Sequence, residues 1–133
     1  MSELTCLELS VLLWVAHILT QEVTARAELG LGFLAYSFSP RDALPTPNGL
    51  AWGRATRALH NYVENLSPFV AMALALITTG HAGGLGAVGA TIWIVARILY
   101  LPIYVMGVVY VRTALWGVSV IGLLMMLVRL AWS

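Results

Sequence analysis

RATRALHNYVENLSPF, residues 54–69, opens a long apolar segment with a polar stripe, and how that stripe is read decides the fold. At about 100° per residue, Arg54, Arg57, Asn61 and Glu64 fall within an arc of about 80° on one helix face. A charged group at membrane depth costs roughly 2.5–3.5 kcal/mol on the insertion scale, so such groups usually face a partner, a cavity or a ligand. Snorkelling of Arg54 and Arg57 to phosphates, with Glu64 paired to one of them, accounts for the arginines. It leaves Asn61 and Glu64, deeper on the same face, without a reason.

Outward from this stretch the chain reads as membrane. Its 133 residues are 60% hydrophobic and only 10% charged, with a mean hydropathy of +0.88, far from the average soluble domain. Four apolar blocks, at about 4–24, 51–80, 83–104 and 110–132, are each long enough to cross a hydrocarbon core of about 30 Å. They predict one all-α integral membrane domain over residues 1–133, a four-transmembrane-helix antiparallel bundle. The first block has no basic run before it and carries Glu3 and Glu8, which predicts a retained helix rather than a secretory signal. Residues 27–50 hold three of the five prolines and an Asn48-Gly49 turn signal, and predict a loop. The short, uncharged HAGGLG connection makes the second and third helices adjacent and antiparallel.

Several classes of function fall away. A net charge of +1 with no basic run argues against a nucleic-acid partner. The single Cys6 excludes an intrachain disulfide, and His17, His60 and His81 share no metal-ligand spacing. Gly80, Gly83, Gly84, Gly86 and Gly89 suit a tight turn and close helix packing better than a phosphate loop. His17 is expected to be a hydrogen-bonded interhelical histidine, Arg129 a terminal anchor, and Arg54 an edge anchor or structural ion-pair partner.

The third block repeats the theme of the opening stretch. Arg97, Tyr100 and Tyr104 stand at steps of three and four, so they too share a face. Arg26 marks the exit of the first block, and Arg112 the start of the fourth. In an antiparallel bundle the start of the second helix, the end of the third and the start of the fourth lie on the side of the first loop. Arg26, Arg41, Arg54, Arg57 and Arg112 gather there against Arg129 opposite, so the positive-inside rule places that side in the cytoplasm and both termini outside. A pocket lined by Arg26, Arg54, Arg57, Asn61, Glu64, Arg97, Tyr100, Tyr104 and Arg112 offers guanidinium forks for carboxylates, a carboxylate for an ammonium and an amide for peptide groups. It suits a small, mostly anionic, zwitterionic molecule beside lipid. A transporter or channel draws support only from the intramembrane charges, which lie toward one side and do not span the bilayer.

The run from Arg57 to Phe69, RALHNYVENLSPF, resembles the signature of the MAPEG family, the membrane-associated proteins of eicosanoid and glutathione metabolism: an approximate RAxxNxxEN followed by PF. Ala96-Arg97 with Tyr100 and Tyr104 is similar to the second family motif, an Arg followed seven residues on by a Tyr. Length and the short second connection agree, so the resemblance covers essentially the whole chain, and in motif it is nearest to microsomal glutathione transferase. It implies a homotrimer of four-helix subunits with glutathione, as cosubstrate, at the subunit interfaces. Arg57, Asn61, Glu64, Arg97, Tyr100 and Tyr104 would hold the tripeptide, with Arg26 reaching it from the first helix. Arg112, with Tyr104, would stabilise the thiolate, although the spacing between these two positions differs among family branches. Asn65 stands where the leukotriene-synthase branch has Tyr, and Tyr100 where the prostaglandin-synthase branch has His, so neither specialised activity carries over. The implied reaction is conjugation of glutathione to lipophilic electrophiles or reduction of lipid hydroperoxides. The alternative is a non-catalytic membrane protein binding a lipid or a partner protein.

Overall fold

Ser2 starts the first helix by accepting a hydrogen bond on its Oγ from the Thr5 N–H at 3.1 Å, the N-cap arrangement that satisfies an otherwise orphaned donor. In this computed structural model, which describes residues 1–40 and 47–132, helix α1 then runs Glu3–Leu29. It continues five residues past the apolar block because Ala25, Arg26, Ala27, Glu28 and Leu29 are all strong helix formers. Gly30, at φ 55°, closes it with its N–H on the Arg26 carbonyl at 2.9 Å.

The segment expected to be loop carries a short helix, α2 (Gly32–Ser37). Its first residues, 27–29, are also helical, as the last turn of α1, and its residues 41–46, with Arg41 and Pro45, lie outside the described residues. Helices α3 (Leu50–Thr78), α4 (Leu85–Met106) and α5 (Val109–Ala131) follow, so five helices and no strand occur among the described residues. Three of them, α1, α4 and α5, are long and apolar enough to cross a membrane. Helix α3 has the length but not the hydropathy, since its first half bears Arg54, Arg57 and Glu64. It continues unbroken through Pro68.

Helices α4 and α5 pack most extensively, and α1 packs on α3. The first pair is close because glycine faces glycine. A Cβ built on Gly122 would lie 2.6 Å from the Gly89 carbonyl oxygen and 3.0 Å from the Trp93 nitrogen, so side chains there would force the helices apart. At the centre, Trp93 of α4 stacks face to face on Phe69 of α3 with ring centroids 3.8 Å apart.

Two carboxylates from α1 pin the connections at its two ends. Buried Glu3 accepts from the Gly83 N–H at 2.8 Å, at the turn into α4. Glu28 accepts from the Asn48 N–H at 2.6 Å and the Gly49 N–H at 2.7 Å, capping α3 from outside its own sequence. Arg129, expected as a terminal anchor, donates from Nε to the His81 carbonyl at 3.2 Å and ties the end of α5 to the α3–α4 turn. His17 bonds through Nδ1 to the Leu13 carbonyl of its own helix at 2.8 Å, and its contact between helices is a ring stack on Tyr62 at 4.4 Å.

Candidate functional site

Arg54 sets the frame of the site. Its Nη1 donates to the Val105 carbonyl at 3.1 Å, and its guanidinium lies against Gly107, whose φ of 82° ends α4. A cation at the C-terminal end of a helix is favoured by the exposed carbonyls there. The ion-pair role considered for Arg54 is therefore taken by a backbone carbonyl, and the start of α3 is fixed to the end of α4.

Two turns deeper on the same face, the polar stripes of α3 and α4 meet. Arg97 is fully buried, and its Nη1 donates to Asn61 Oδ1 at 2.7 Å. Asn65 donates from Nδ2 to the Asn61 carbonyl at 2.9 Å, in the next turn of α3. The Arg97 guanidinium lies 5.2 Å from the Tyr100 ring centroid and 5.9 Å from that of Trp93, within cation–π range. Tyr100 and Tyr104 follow with centroids 5.3 Å apart, and the Arg112 guanidinium sits 4.6 Å over Tyr104. Asn61, Arg97, Tyr100, Tyr104 and Arg112 thus form one contiguous ladder from the core of the chain toward the α4–α5 connection.

The remaining predicted site residues lie elsewhere on the surface. Arg26, Arg57 and Glu64 are exposed, and none of their side chains makes a hydrogen bond or ion pair among the described residues. The pairing of Glu64 with Arg54 or Arg57 considered under snorkelling does not occur. Glu64 instead lines an open cavity of about 360 Å³ with Trp14, Ile18, Leu59, His60 and Val63. A single chain therefore gathers five of the eight candidates into a ladder and leaves three presented outward.

Two residues of this neighbourhood escaped the sequence reading. Tyr62 is buried and donates its hydroxyl to the Ser10 carbonyl at 2.6 Å, binding α3 to α1 directly beside Asn61. Trp93, one turn before Arg97, forms the floor under the guanidinium. An i−4 aromatic before an intramembrane arginine was the available signal for Trp93. Tyr62 offered none, because it sits just outside the stripe.

Chemically, the arrangement presents cations and hydrogen-bond donors and no nucleophile. Cys6, the single cysteine, is buried near the start of α1, whereas the ladder runs to the end of α4. Among the described residues no three His, Cys, Asp or Glu side chains come together as a metal ion would require. The model of the MAPEG family matches residues 5–132, nearly the whole chain. No curated protein and no solved structure matches it.

Proposed function

Since this chain belongs to the MAPEG family of membrane proteins, we propose that it binds glutathione and uses it on lipophilic substrates. The family includes glutathione transferases and peroxidases as well as members without catalysis. The observation that carries the reading is the Asn61–Arg97–Tyr100–Tyr104–Arg112 ladder, with Arg57 and Glu64 outward on the helix that supplies Asn61. Glutathione has two carboxylates, one ammonium and two peptide groups. Arg57 and Arg26 suit the carboxylates, Glu64 the ammonium, and Asn61 a peptide group. Arg97, sealed behind Asn61, acts by holding that amide in place.

The cost of the exposed groups supports assembly with further copies, and membership of the MAPEG family, whose members generally act as homotrimers, supports three. Arg57 and Glu64 on the outside of a membrane helix would each cost roughly 2.5–3.5 kcal/mol facing lipid. A second copy covering them removes that cost and completes the site, and it lets α3 serve as a fourth span beside the three apolar ones. With four spans both termini share one side, and the excess of arginines opposite them puts the site on the cytoplasmic side. The likeness to microsomal glutathione transferase in motif supports the same class of chemistry.

The step itself needs a thiolate. A free thiol of pKa about 8.5 is a few per cent ionised at neutral pH, and a guanidinium in a poorly solvated site lowers that value. Each unit corresponds to about 1.4 kcal/mol. Arg112, held over Tyr104, is the residue for this role. The thiol proton leaves to solvent, the sulfur attacks an electrophilic carbon, an S–C bond forms and the leaving group departs with its electron pair. With a hydroperoxide, sulfur attacks the terminal oxygen and the O–O bond breaks. The alkoxide takes a proton, and a second glutathione converts the sulfenic form to disulfide and water.

Calorimetry of glutathione binding to detergent-solubilised protein tests the reading. Binding to the unmodified protein, weakened in Arg57→Ala and Glu64→Ala, is the expected result, and no binding to the unmodified protein removes the hypothesis. The complete burial of Arg97 favours a second reading, a non-catalytic protein that binds a lipid or partner helix. Binding without thiolate absorbance, and without turnover of electrophiles or hydroperoxides, would decide for it.

A further inference from the structure

Arg54 is the one residue of the opening polar stripe to which the glutathione reading gives no part. It is half-buried, and it holds the end of α4. That end is a Schellman motif: the Gly107 N–H donates to the Tyr104 carbonyl at 3.0 Å, and the Val108 N–H to the Ile103 carbonyl at 3.2 Å. The motif satisfies those two carbonyls and passes over that of Val105, which accepts from Arg54 Nη1 of α3 at 3.1 Å. A Cβ built on Gly107 would lie 2.5 Å from Arg54 Cζ and Nη2, so the guanidinium fills the space that the glycine leaves.

What Arg54 holds is the connection that carries the last two rungs of the ladder. Tyr104 lies in the last turn of α4 and Arg112 in the first turn of α5, with only Gly107 and Val108 between the two helices. Val108 is tied to both: its N–H is on the Ile103 carbonyl, and its own carbonyl accepts from the Arg112 N–H at 3.2 Å. The Arg112 side chain then returns over the Tyr104 ring at 4.6 Å. Cation–π attraction acts within about 6 Å of the ring centroid, so a small rotation of α5 about Gly107 and Val108 would separate the pair. The glycine seam between α4 and α5, at Gly89 and Gly122, lies near the opposite end of α4. At the Tyr104 end the brace comes from α3.

We propose that Arg54 is a positioning residue for Arg112: by bracing the α4–α5 connection from α3, it keeps the Arg112 guanidinium over Tyr104. Its effect on a thiolate rests on the glutathione reading above and on the part given there to Arg112; its hold on the Tyr104–Arg112 pair does not.

Ring resonances of tyrosine-labelled protein in detergent, assigned with Tyr104→Phe, read the pair without any ligand. Arg112→Met gives the position of the Tyr104 resonance when the cation is gone. In Arg54→Met that resonance should move toward the same position. In Arg54→Lys, which keeps a cation and a donor for the Val105 carbonyl, it should stay nearer the native one. A Tyr104 resonance unmoved in folded Arg54→Met overturns the proposal, whatever the loss in unfolding temperature, since a merely structural anchor lowers stability without touching the pair. With glutathione bound, the pH midpoint of thiolate absorbance should rise by about 0.5–1 unit in Arg54→Met, a preference for the thiolate about 3–10-fold weaker, while affinity for the thiol form stays within about twofold. Affinity lost with the midpoint unchanged would make Arg54 a ligand contact and overturn the proposal as well. If Arg54→Met moves the Tyr104 resonance and the unmodified protein binds no glutathione, only the functional reading falls.

Discussion

Asn61 and Arg97 depend on each other. Among the described residues the amide oxygen is the single acceptor that the buried guanidinium finds, and a hydrogen bond to a charged group contributes about 1.5–3 kcal/mol. Asn61→Leu should therefore destabilise the protein by about 2–3 kcal/mol, read as a lowered unfolding temperature in detergent, because it strands a charge. Arg97→Met together with Asn61→Leu should cost less than the two single changes summed, and a double-mutant cycle measures that coupling. The two residues were legible as aligned polar positions on two helices, since the period of 3.6 puts Asn61 on the stripe of α3 and Arg97 on that of α4. Which atom meets which was not legible. Sequence spacing places a residue on a face but says nothing of depth, and so Arg97, expected to touch ligand, sits fully buried behind Asn61.

At the scale of the helices, α3, α4 and α5 stop within two residues of the ends of their blocks, whereas α1 runs five residues past its own. The lipid solvent selects for apolar residues only within the hydrocarbon layer, whereas helix hydrogen bonding continues beyond it, and α1 accordingly reaches Leu29. The short helix α2 went unread because six residues are too few to show a period. The clamps at the helix ends were equally silent, since Glu28 and Asn48 are far apart in sequence. Glu28→Ala should cost about 1 kcal/mol, as loss of an N-cap does, and should raise amide exchange in the first turn of α3 while leaving α5 unchanged. Gly89→Val tests the α4–α5 seam: a Cβ there would stand 2.5 Å from the Gly122 carbonyl oxygen, so the helices must separate. A loss of about 1–3 kcal/mol is expected from such overpacking, again read by thermal unfolding.

The whole molecule leaves its first-half α3 face open, and that opening is the strongest physical argument for assembly. Arg57, His60 and Glu64 are exposed on this face, and beside them Val63 is 44% exposed and Trp14 40%. A lipid-facing surface would carry the apolar pair and reject the charges, whereas an interface with a second copy accommodates both. Because Cys6 is the single cysteine, a Cys6→Ser/Val63→Cys variant carries one unique thiol at the centre of this face, to which a benzophenone can be attached. In native nanodiscs, illumination should yield adducts between chains, and native mass spectrometry should find three copies. If the photoproduct is a lipid adduct alone, the stripe faces the bilayer, Arg57 and Glu64 have no second copy to cover them, and the site stands without the neighbour that the glutathione reading requires.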